Sequence, residues 1–217
     1  GLSLAIAEPR LEMGERRIAD AAFAFRGDIE ARPGTRTAAG RGLVAEFAGG
    51  QFGMPRLDIP DWGTLPHGAS TDFAGRFDLA RLREAVRAAV PTSADVAVGG
   101  MLTFSGSAAM PDPGHQRLAL KADIADVAVT RAGTPLHREE KMSIEAVATI
   151  APQAGDIDFS EVAIASQILT LRTKATLRDM RVRKALSAEG SLACDFDRLG
   201  PVVAALTGKP VILGGRH

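Results

Sequence analysis

The histidines are the first residues to test for chemistry, because an imidazole can act as a general base or as a metal ligand. The four histidines are spread along the chain at His67, His115, His137 and His217. No spacing among them brings two onto one face of a strand or helix, as a metal site would require. Solvated histidines in turns or at the terminus are therefore the favoured interpretation.

Carboxylates and the lone thiol offer other kinds of chemistry. Asp156 and Asp158 lie on the same face of a predicted strand and could bind Ca²⁺, but the sequence offers no further oxygen ligands nearby. Asp78 and Asp195 could be paired acids, yet both precede predicted helices, where a capping role explains them. Cys194 would need a histidine base to act as a nucleophile, and its position on the apolar side of a strand favours a packed hydrophobe.

The other conspicuous segments also have simple structural interpretations. The charged run 137–141 is typical of a solvated loop, and Trp62 is expected to pack against its own loop. The glycine-rich segment 27–53 lacks the spacing of a nucleotide-binding motif. The sequence therefore predicts no catalytic residue, no metal site and no cofactor, and it favours a protein that is not an enzyme.

The composition limits the class of protein and its partners. Of 217 residues, 46% are hydrophobic and 24% charged, which is typical of a folded chain. The 26 basic residues balance 26 acidic ones, so no net field attracts a polyanion, and we expect no nucleic-acid partner. Strand-like alternation begins at Leu2 and a further strand is predicted from Pro210, so we expect a segment of a longer protein.

Apolar and polar residues alternate with a period of two through most of the sequence, which predicts β-strands with one apolar face. The clearest run, 169–178, places leucine, alanine and Thr173 on one face and charged or threonine side chains on the other. The segments 142–150 and 186–194 repeat this pattern. Turn residues between the runs have the spacing of an antiparallel meander.

The alternation changes phase at two points. Even positions carry the apolar residues in 118–124 but odd positions carry them afterwards, and a similar switch follows Phe159. Each switch predicts a β-bulge, near Ala125–Asp126 and near Ser160–Glu161. Long strands with bulges favour a curled antiparallel sheet over a compact sandwich. The Gly- and Pro-rich segment 33–68 predicts short strands with irregular connections.

Two segments have the apolar spacing of a short amphipathic helix. The first is 79–90, with Asp78 as its N-cap, and the second is 196–207, with Asp195 or Asp197 as its N-cap. Each helix follows a predicted strand. Helices of this kind are expected to link successive parts of the sheet.

The strand end, Asp cap and helix around Asp78 align with those around Asp195, at a separation of 117 residues. This match predicts an internal repeat, in which each unit consists of strands followed by one helix. The expected parts are 1–74, a partial and irregular first β-unit, 75–194, a central repeat unit with helix 79–90 and antiparallel strands, and 195–217, the truncated start of a next unit with helix 196–207.

The long Ala- and Leu-rich strands, with the pattern G-x-F-D-L before a short helix at Gly75–Leu79 and its second version at Gly190–Leu199, resemble the AsmA-like and TamB-like proteins of Gram-negative envelopes. The resemblance covers about 75–215 and implies a taco-shaped β-groove with an apolar inner wall. It also implies a periplasmic location, an inner-membrane anchor outside this segment, and phospholipid movement towards the outer membrane.

The apolar side of the sheet is the candidate functional surface, because it is poor in hydrogen-bonding groups and suits acyl chains. The candidate groove residues are Leu118, Leu120, Ile124, Ile144, Ile150, Leu169, Leu171, Leu177, Leu186 and Leu192. We expect partners to be phospholipid or another acyl-chain lipid and other repeat units, with membrane contact through parts outside this segment. The alternative is a structural or adhesive β-repeat scaffold with a closed core and no ligand.

Overall fold

The alternating segments form strands because a strand can place all its apolar side chains on one side of a sheet. The computed structural model describes residues 2–6, 11–13, 16–18, 23–47, 49–65, 67–87, 96–112, 114–180 and 185–207. These residues contain thirteen β-strands, two α-helices and a short 3₁₀ helix. The chain is therefore mainly β.

The strands are β1 (Leu2–Ile6), β2 (Leu11–Met13), β3 (Arg16–Ile18), β4 (Phe23–Arg32), β5 (Thr37–Phe47), β6 (Gly50–Ile59), β7 (Ser70–Asp78), β8 (Val96–Asp112), β9 (His115–Arg131), β10 (Thr134–Ala151), β11 (Asp156–Ala165), β12 (Leu169–Arg178) and β13 (Ala185–Cys194). The helices are α1 (Leu79–Arg87) and α2 (Phe196–Thr207), and the 3₁₀ helix is Trp62–Thr64.

Eleven strands form one antiparallel sheet, while β2 and β3 pair only with each other. Their order is β1-β4-β5-β6-β7-β8-β9-β10-β11-β12-β13, so from β4 onwards each strand pairs with the next along the chain. The described edge strands β1 and β13 do not pair with each other, so the sheet is open. The predicted fold class, a long antiparallel sheet with two short helices, is confirmed.

The sheet has two chemically different faces. Residues directly opposite each other in antiparallel strands lie on the same face, so the strand pairing shows on which face of the sheet each side chain lies. The face that carries Ile144 also carries its partner Ile164, the next partner Leu171, and then Leu192. We call this the apolar face. The other face, which carries most charged side chains, including Lys121, is the polar face.

Both predicted phase changes are confirmed as irregularities in strand pairing. The β8–β9 register shifts by one residue between Gly99 and Met101, close to Asp126 on β9, whose φ of 53° lies in the left-handed region that aspartate tolerates. The β11–β12 register shifts between Phe159 and Val162. One inserted residue at each point keeps later apolar side chains on the apolar face.

The three central strands project beyond their neighbours at one end. β8, β9 and β10 have 17, 17 and 18 residues, whereas β7 has 9 and β11 has 10. Near this projection, α1 contacts β7 and β8, and α2 contacts β10. Val96, Val127 and Val129 are buried there. We call this the helix end, and the opposite end, with the turns after β8, β10 and β12, the turn end.

Both helices begin at the predicted caps. Asp78 Oδ1 accepts hydrogen bonds from the backbone amides of Ala80 and Arg81 at 3.0 and 3.2 Å. Asp195 Oδ1 accepts one from the amide of Arg198 at 3.2 Å. Each carboxylate satisfies amide groups that have no partner within the first turn of a helix.

The predicted boundaries agree with the structure where it describes them. α2 covers the predicted range 196–207, and α1 begins at residue 79 and is described as far as Arg87. The last residues of the predicted helix 79–90 lie outside the described residues. The strand predicted from Pro210 lies outside them too.

The expectation of short strands in segment 33–68 is wrong, although the expected irregular connection is present between β6 and β7, where the 3₁₀ helix lies. β5 and β6 have 11 and 10 residues and continue the main sheet without interruption. Glycine in these strands gives space to large side chains from neighbouring strands, so it supports regular pairing here. For example, the ring of Phe77 in β7 occupies the space that a side chain at Gly50 in β6 would need.

Candidate functional site

The pairing places all ten predicted groove residues on the apolar face. The rows that cross β10 to β13 are Ile144–Ile164–Leu171–Leu192 and Ile150–Ile157–Leu177–Leu186, and the remaining candidates, Leu118, Leu120, Ile124 and Leu169, pair with Ala148, Ala146, Met142 and Cys194. Residues distant in sequence therefore form one continuous apolar surface.

No second layer of described residues covers this surface between the helix end and the turn end. Substantial contacts among the described elements join neighbouring strands, or join the helices to β7, β8 and β10 at the helix end. The apolar-face residues of β7 to β12 are partly shielded by their lateral neighbours. At β13 that shielding ends, and Leu186 and Leu192 are 67% and 56% exposed.

Phenylalanine rings form a connected cluster on the apolar face of β5 to β8. The centroids of Phe77 and Phe104 lie 5.5 Å apart with planes inclined by 12°, Phe47 lies 5.3 Å from Phe77, and Phe52 and Phe73 each lie 6.3 Å from Phe104. These separations are those of favourable aromatic pairs. This half of the face is aromatic, whereas the half from β9 to β13 is largely aliphatic.

Glycines in adjacent strands make room for these rings. A Cβ atom at Gly50 would overlap the ring of Phe77, and one at Gly75 would overlap the ring of Phe104. Each ring therefore lies against the glycine backbone of a neighbouring strand. The aromatic cluster was missed in the sequence because its only local signal is Phe at alternating positions, which does not reveal the glycine opposite each ring.

Ion pairs line the polar face. Lys121 Nζ lies 2.8 Å from Glu145 Oε1, and Lys141 Nζ lies 3.0 Å from Asp123 Oδ1. The hydrogen bond with Glu145 raises the pKa of Lys121. These side chains are largely solvated, so the pairs contribute little to stability. Their effect is to keep charge on the face opposite the candidate groove.

The two carboxylates considered as a calcium site bond to groups of the protein instead. Arg178 donates to Asp156 Oδ2 at 3.0 Å and to Asp158 Oδ1 at 2.7 Å, and the Asp179 amide donates to Asp156 Oδ1 at 2.9 Å. The Asp179 amide, followed by Arg178, lowers the pKa of Asp156. Among the described residues, no group of three or more His, Cys, Asp or Glu could hold a metal ion.

These lowered carboxylate pKa values predict a loss of stability in acid. Hydrogen bonds from arginine and histidine also lower the pKa values of Asp58 and Asp112. A carboxylate whose pKa is lower in the folded than in the unfolded state stabilises the fold above about pH 4 and loses this contribution as pH falls through the folded value. We expect the urea midpoint to fall as the pH drops from about 5 to about 3.

The variant Asp156→Asn tests this contribution. It is expected to lower the urea midpoint at neutral pH and to reduce the further fall in acid, because its side chain cannot titrate. The matched control in the same strand is Glu161→Gln, since Glu161 is exposed and makes no hydrogen bond or ion pair within the described part of the chain. An Asp156→Asn variant with the wild-type pH profile would contradict the prediction.

The expectation that the run 137–141 forms a solvated loop is wrong, because it is part of β10. The Glu139 side chain is 0% exposed and that of His137 is 12% exposed. Glu139 Oε2 lies 3.1 Å from His137 Nε2, and Oε1 accepts a hydrogen bond from the backbone amide of Gln167. These two side chains are shielded because β10 projects to the helix end, where α2 contacts it, whereas Arg138, Glu140 and Lys141 of the same run are exposed.

The other candidate residues are not brought together. His115 is exposed and bonds to a neighbouring aspartate, while His67 lies in the connection before β7 and its Nδ1 is buried without a partner among the described residues. Cys194 is buried as a packed hydrophobe, as expected. Trp62 is partly buried at the start of the 3₁₀ helix. His217 lies outside the described residues.

The apolar face is thus a continuous surface that no second layer of described residues covers. No protein-family model, curated protein or solved structure matches this sequence. Neither described helix combines the length and apolar composition needed to cross a membrane. The site's own geometry therefore supplies the grounds for proposing a function.

Proposed function

We propose that this chain is a segment of a groove protein that binds phospholipid acyl chains and passes them between the inner and outer membranes. The observation that carries the proposal is the continuous apolar face, which no second layer of described residues covers. A continuous apolar surface that no second layer covers is typical of a site for an apolar partner. An acyl chain is such a partner, because it needs contact area and no directional bonds.

The energetics favour a ligand that covers several rows of side chains. Burying a Leu- or Phe-sized side chain contributes roughly 1.5–3 kcal/mol. The side chains on the apolar face of β7 to β12 are already partly shielded, so each gains less than this amount on binding. A lipid must therefore contact several of them, and the rows that run from β9 to β13 provide such a path.

The bulges support a trough-shaped surface. A bulge increases the local twist of a strand and lets a long sheet curl. Irregular pairing occurs in β9 and β11, within the aliphatic half of the face. Curling around the apolar face would surround an acyl chain on more than one side, which increases the apolar area that it buries.

The cellular setting is part of the same proposal. The resemblance to AsmA-like and TamB-like proteins supports a periplasmic location and an inner-membrane anchor elsewhere in the full-length protein. Further repeat units of the same chain are the proposed neighbours, and they would extend the apolar surface. The balanced charge gives no support to nucleic acid as a partner.

The alternative, a structural or adhesive scaffold, needs the apolar side chains to be enclosed in a core. In the described residues such a core is restricted mainly to the helix end, around Val96, Val127 and Val129. The uncovered surface along β9 to β13 favours the lipid-binding proposal over a closed scaffold.

Native mass spectrometry of the chain purified with minimal detergent tests the proposal. Phospholipid is expected to co-purify with the wild-type chain. Ile144→Lys places a charge in the middle of the apolar face and is expected to lower bound lipid at least about tenfold, because the ammonium group would lose hydration on contact with an acyl chain. The absence of lipid from the wild-type chain at high protein concentration would contradict the proposal.

The matched control is Val147→Lys, in the same strand but on the exposed polar face. This variant introduces the same side chain, and lipid binding is expected to be unchanged. Circular dichroism shows whether both variants keep the β-sheet. Equal losses of lipid from two folded variants would mean that the apolar face is not the binding surface.

A further inference from the structure

The apolar face of β7 to β12 carries few polar side chains, and nearly all of them bond to the protein. Thr71 Oγ1 donates to the backbone oxygen of Arg56 at 2.9 Å, and Thr173 Oγ1 donates to that of Glu189 at 2.9 Å. Glu139 and His137, at the helix end, bond to each other. Two exceptions among the described residues are Arg131, which is exposed at the helix end of β9, and Gln116.

Gln116 lies on the apolar face of β9, directly opposite Ile150 of β10. Its side chain is partly buried, and its amide makes no hydrogen bond within the part of the chain that the structure describes. A primary amide offers two N–H donors and one carbonyl acceptor. An amide that bonds to no described group, on an otherwise apolar face, is suited to one polar group of a mainly apolar ligand.

Charged groups near Gln116 do not compete for this role. His115 Nδ1 lies 2.8 Å from Asp112 Oδ1. Arg117 is on the polar face, since it pairs with Thr149 while Gln116 pairs with Ile150. The available hydrogen-bonding group at the turn end of the apolar face, the Gln116 amide, is therefore neutral, which suits an ester carbonyl.

The two ends of the apolar face differ in polarity. Gln116 lies at the turn end of β9, and from there to Ile124 the apolar face carries only apolar side chains along this strand. Beyond Ile124, Val127 and Val129 are buried at the helix end. The eight steps from Gln116 to Ile124 span about 26 Å at roughly 3.3 Å per residue.

We propose that Gln116 binds the ester carbonyl of an acyl lipid whose hydrocarbon chain lies along the strands towards the helix end. This inference rests on the proposed function and adds an orientation and a ligand class, a neutral acyl ester. The hydrocarbon of one membrane leaflet is about 15 Å long, half the roughly 30 Å core, so one extended chain fits between Gln116 and the helix end. The amide fixes the polar end, and the buried valines close the far end.

Two probes separate the contribution of the ester from that of the hydrocarbon: a long-chain fatty acid methyl ester and the alkane of the same chain length. Gln116→Leu is expected to weaken binding of the ester by about fivefold to tenfold, the effect of losing one hydrogen bond, and to leave binding of the alkane unchanged. The matched control is Gln51→Leu, on the exposed polar side of β6. It is expected to change neither affinity.

The outcomes distinguish the inference about Gln116 from the proposed lipid-binding function. If the wild-type chain binds neither probe, both fail. If it binds both probes, and Gln116→Leu has no effect on the ester or weakens both probes equally, the Gln116 inference alone is overturned.

A photoreactive group at the methyl end of the ester chain tests the orientation. Cross-links at Ile124 or Met142 are expected, and cross-links confined to Ile150 would overturn the proposed direction.

Discussion

Replacing Glu139 by alanine is expected to lower the free energy of unfolding by about 3 kcal/mol, because two polar groups at the helix end lose their partner at roughly 1–3 kcal/mol each. The substitution leaves the backbone amide of Gln167 without its acceptor and removes the partner of His137. Both groups remain in the closely packed helix end. An unsatisfied buried polar group costs free energy that no compensating contact returns.

Urea unfolding followed by circular dichroism measures this effect. The control is Glu140→Ala, the adjacent exposed residue in β10, which is expected to change stability by less than about 0.5 kcal/mol. Equal stability of the two variants would show that the Glu139 contacts contribute nothing. Glu139→Gln keeps the shape and one acceptor oxygen, so an intermediate loss is expected.

Replacing Gly106 by valine is expected to cost about 3 kcal/mol, at the upper end of the penalty for overpacking. A Cβ atom at this position would overlap the backbone oxygen of Ala119 and the ring of Phe73. The ring can rotate away only by leaving the aromatic cluster, and the backbone oxygen belongs to the adjacent strand. The sheet must therefore distort or give up local pairing.

The matched control is Gly99→Val in the same strand, where a Cβ atom would meet no other atom within 4 Å. Because valine favours strands more than glycine does, this variant is expected to be at least as stable as the wild type. Urea midpoints of the two variants provide the comparison. A Gly106→Val variant as stable as Gly99→Val would mean that the ring of Phe73 does not need the glycine beneath it.

Strands and helices could be predicted from the sequence because their signals are local. In 169–178, every apolar residue falls on an odd position, so the alternation itself identifies the strand and its apolar side. The caps Asp78 and Asp195 are also local signals, since a carboxylate bonds to amides two or three residues later. Even the bulge near Asp126 follows from a change of phase within one strand.

Contacts between distant residues could not be predicted in this way. Nothing near Gly75 in the sequence shows that the ring of Phe104 lies against it, because that contact depends on the register of two strands. Glu139 is a similar case. Its charged neighbours indicate solvent, and the amide that meets it belongs to Gln167, in the turn between two other strands.

The candidate groove was only partly predictable, because some of its signals are local and others depend on strand pairing. The aliphatic residues of β9 to β13 could be assigned to one side by their alternation alone. The aromatic half and the free amide of Gln116 became visible only when pairing had joined the strands into a surface. A single polar residue in an apolar run is common, and its importance depends on what surrounds it in space.

The described strands of this sheet make substantial contacts only with their neighbours, so the stabilising interactions run from one strand to the next across the sheet. A defect introduced in β12 reaches β5 through every strand between them, because no second layer of described residues offers a shorter route. Disorder would therefore enter from the edges and advance one strand at a time. We expect such fraying to stop at the long central strands, because α1 contacts β8 and α2 contacts β10.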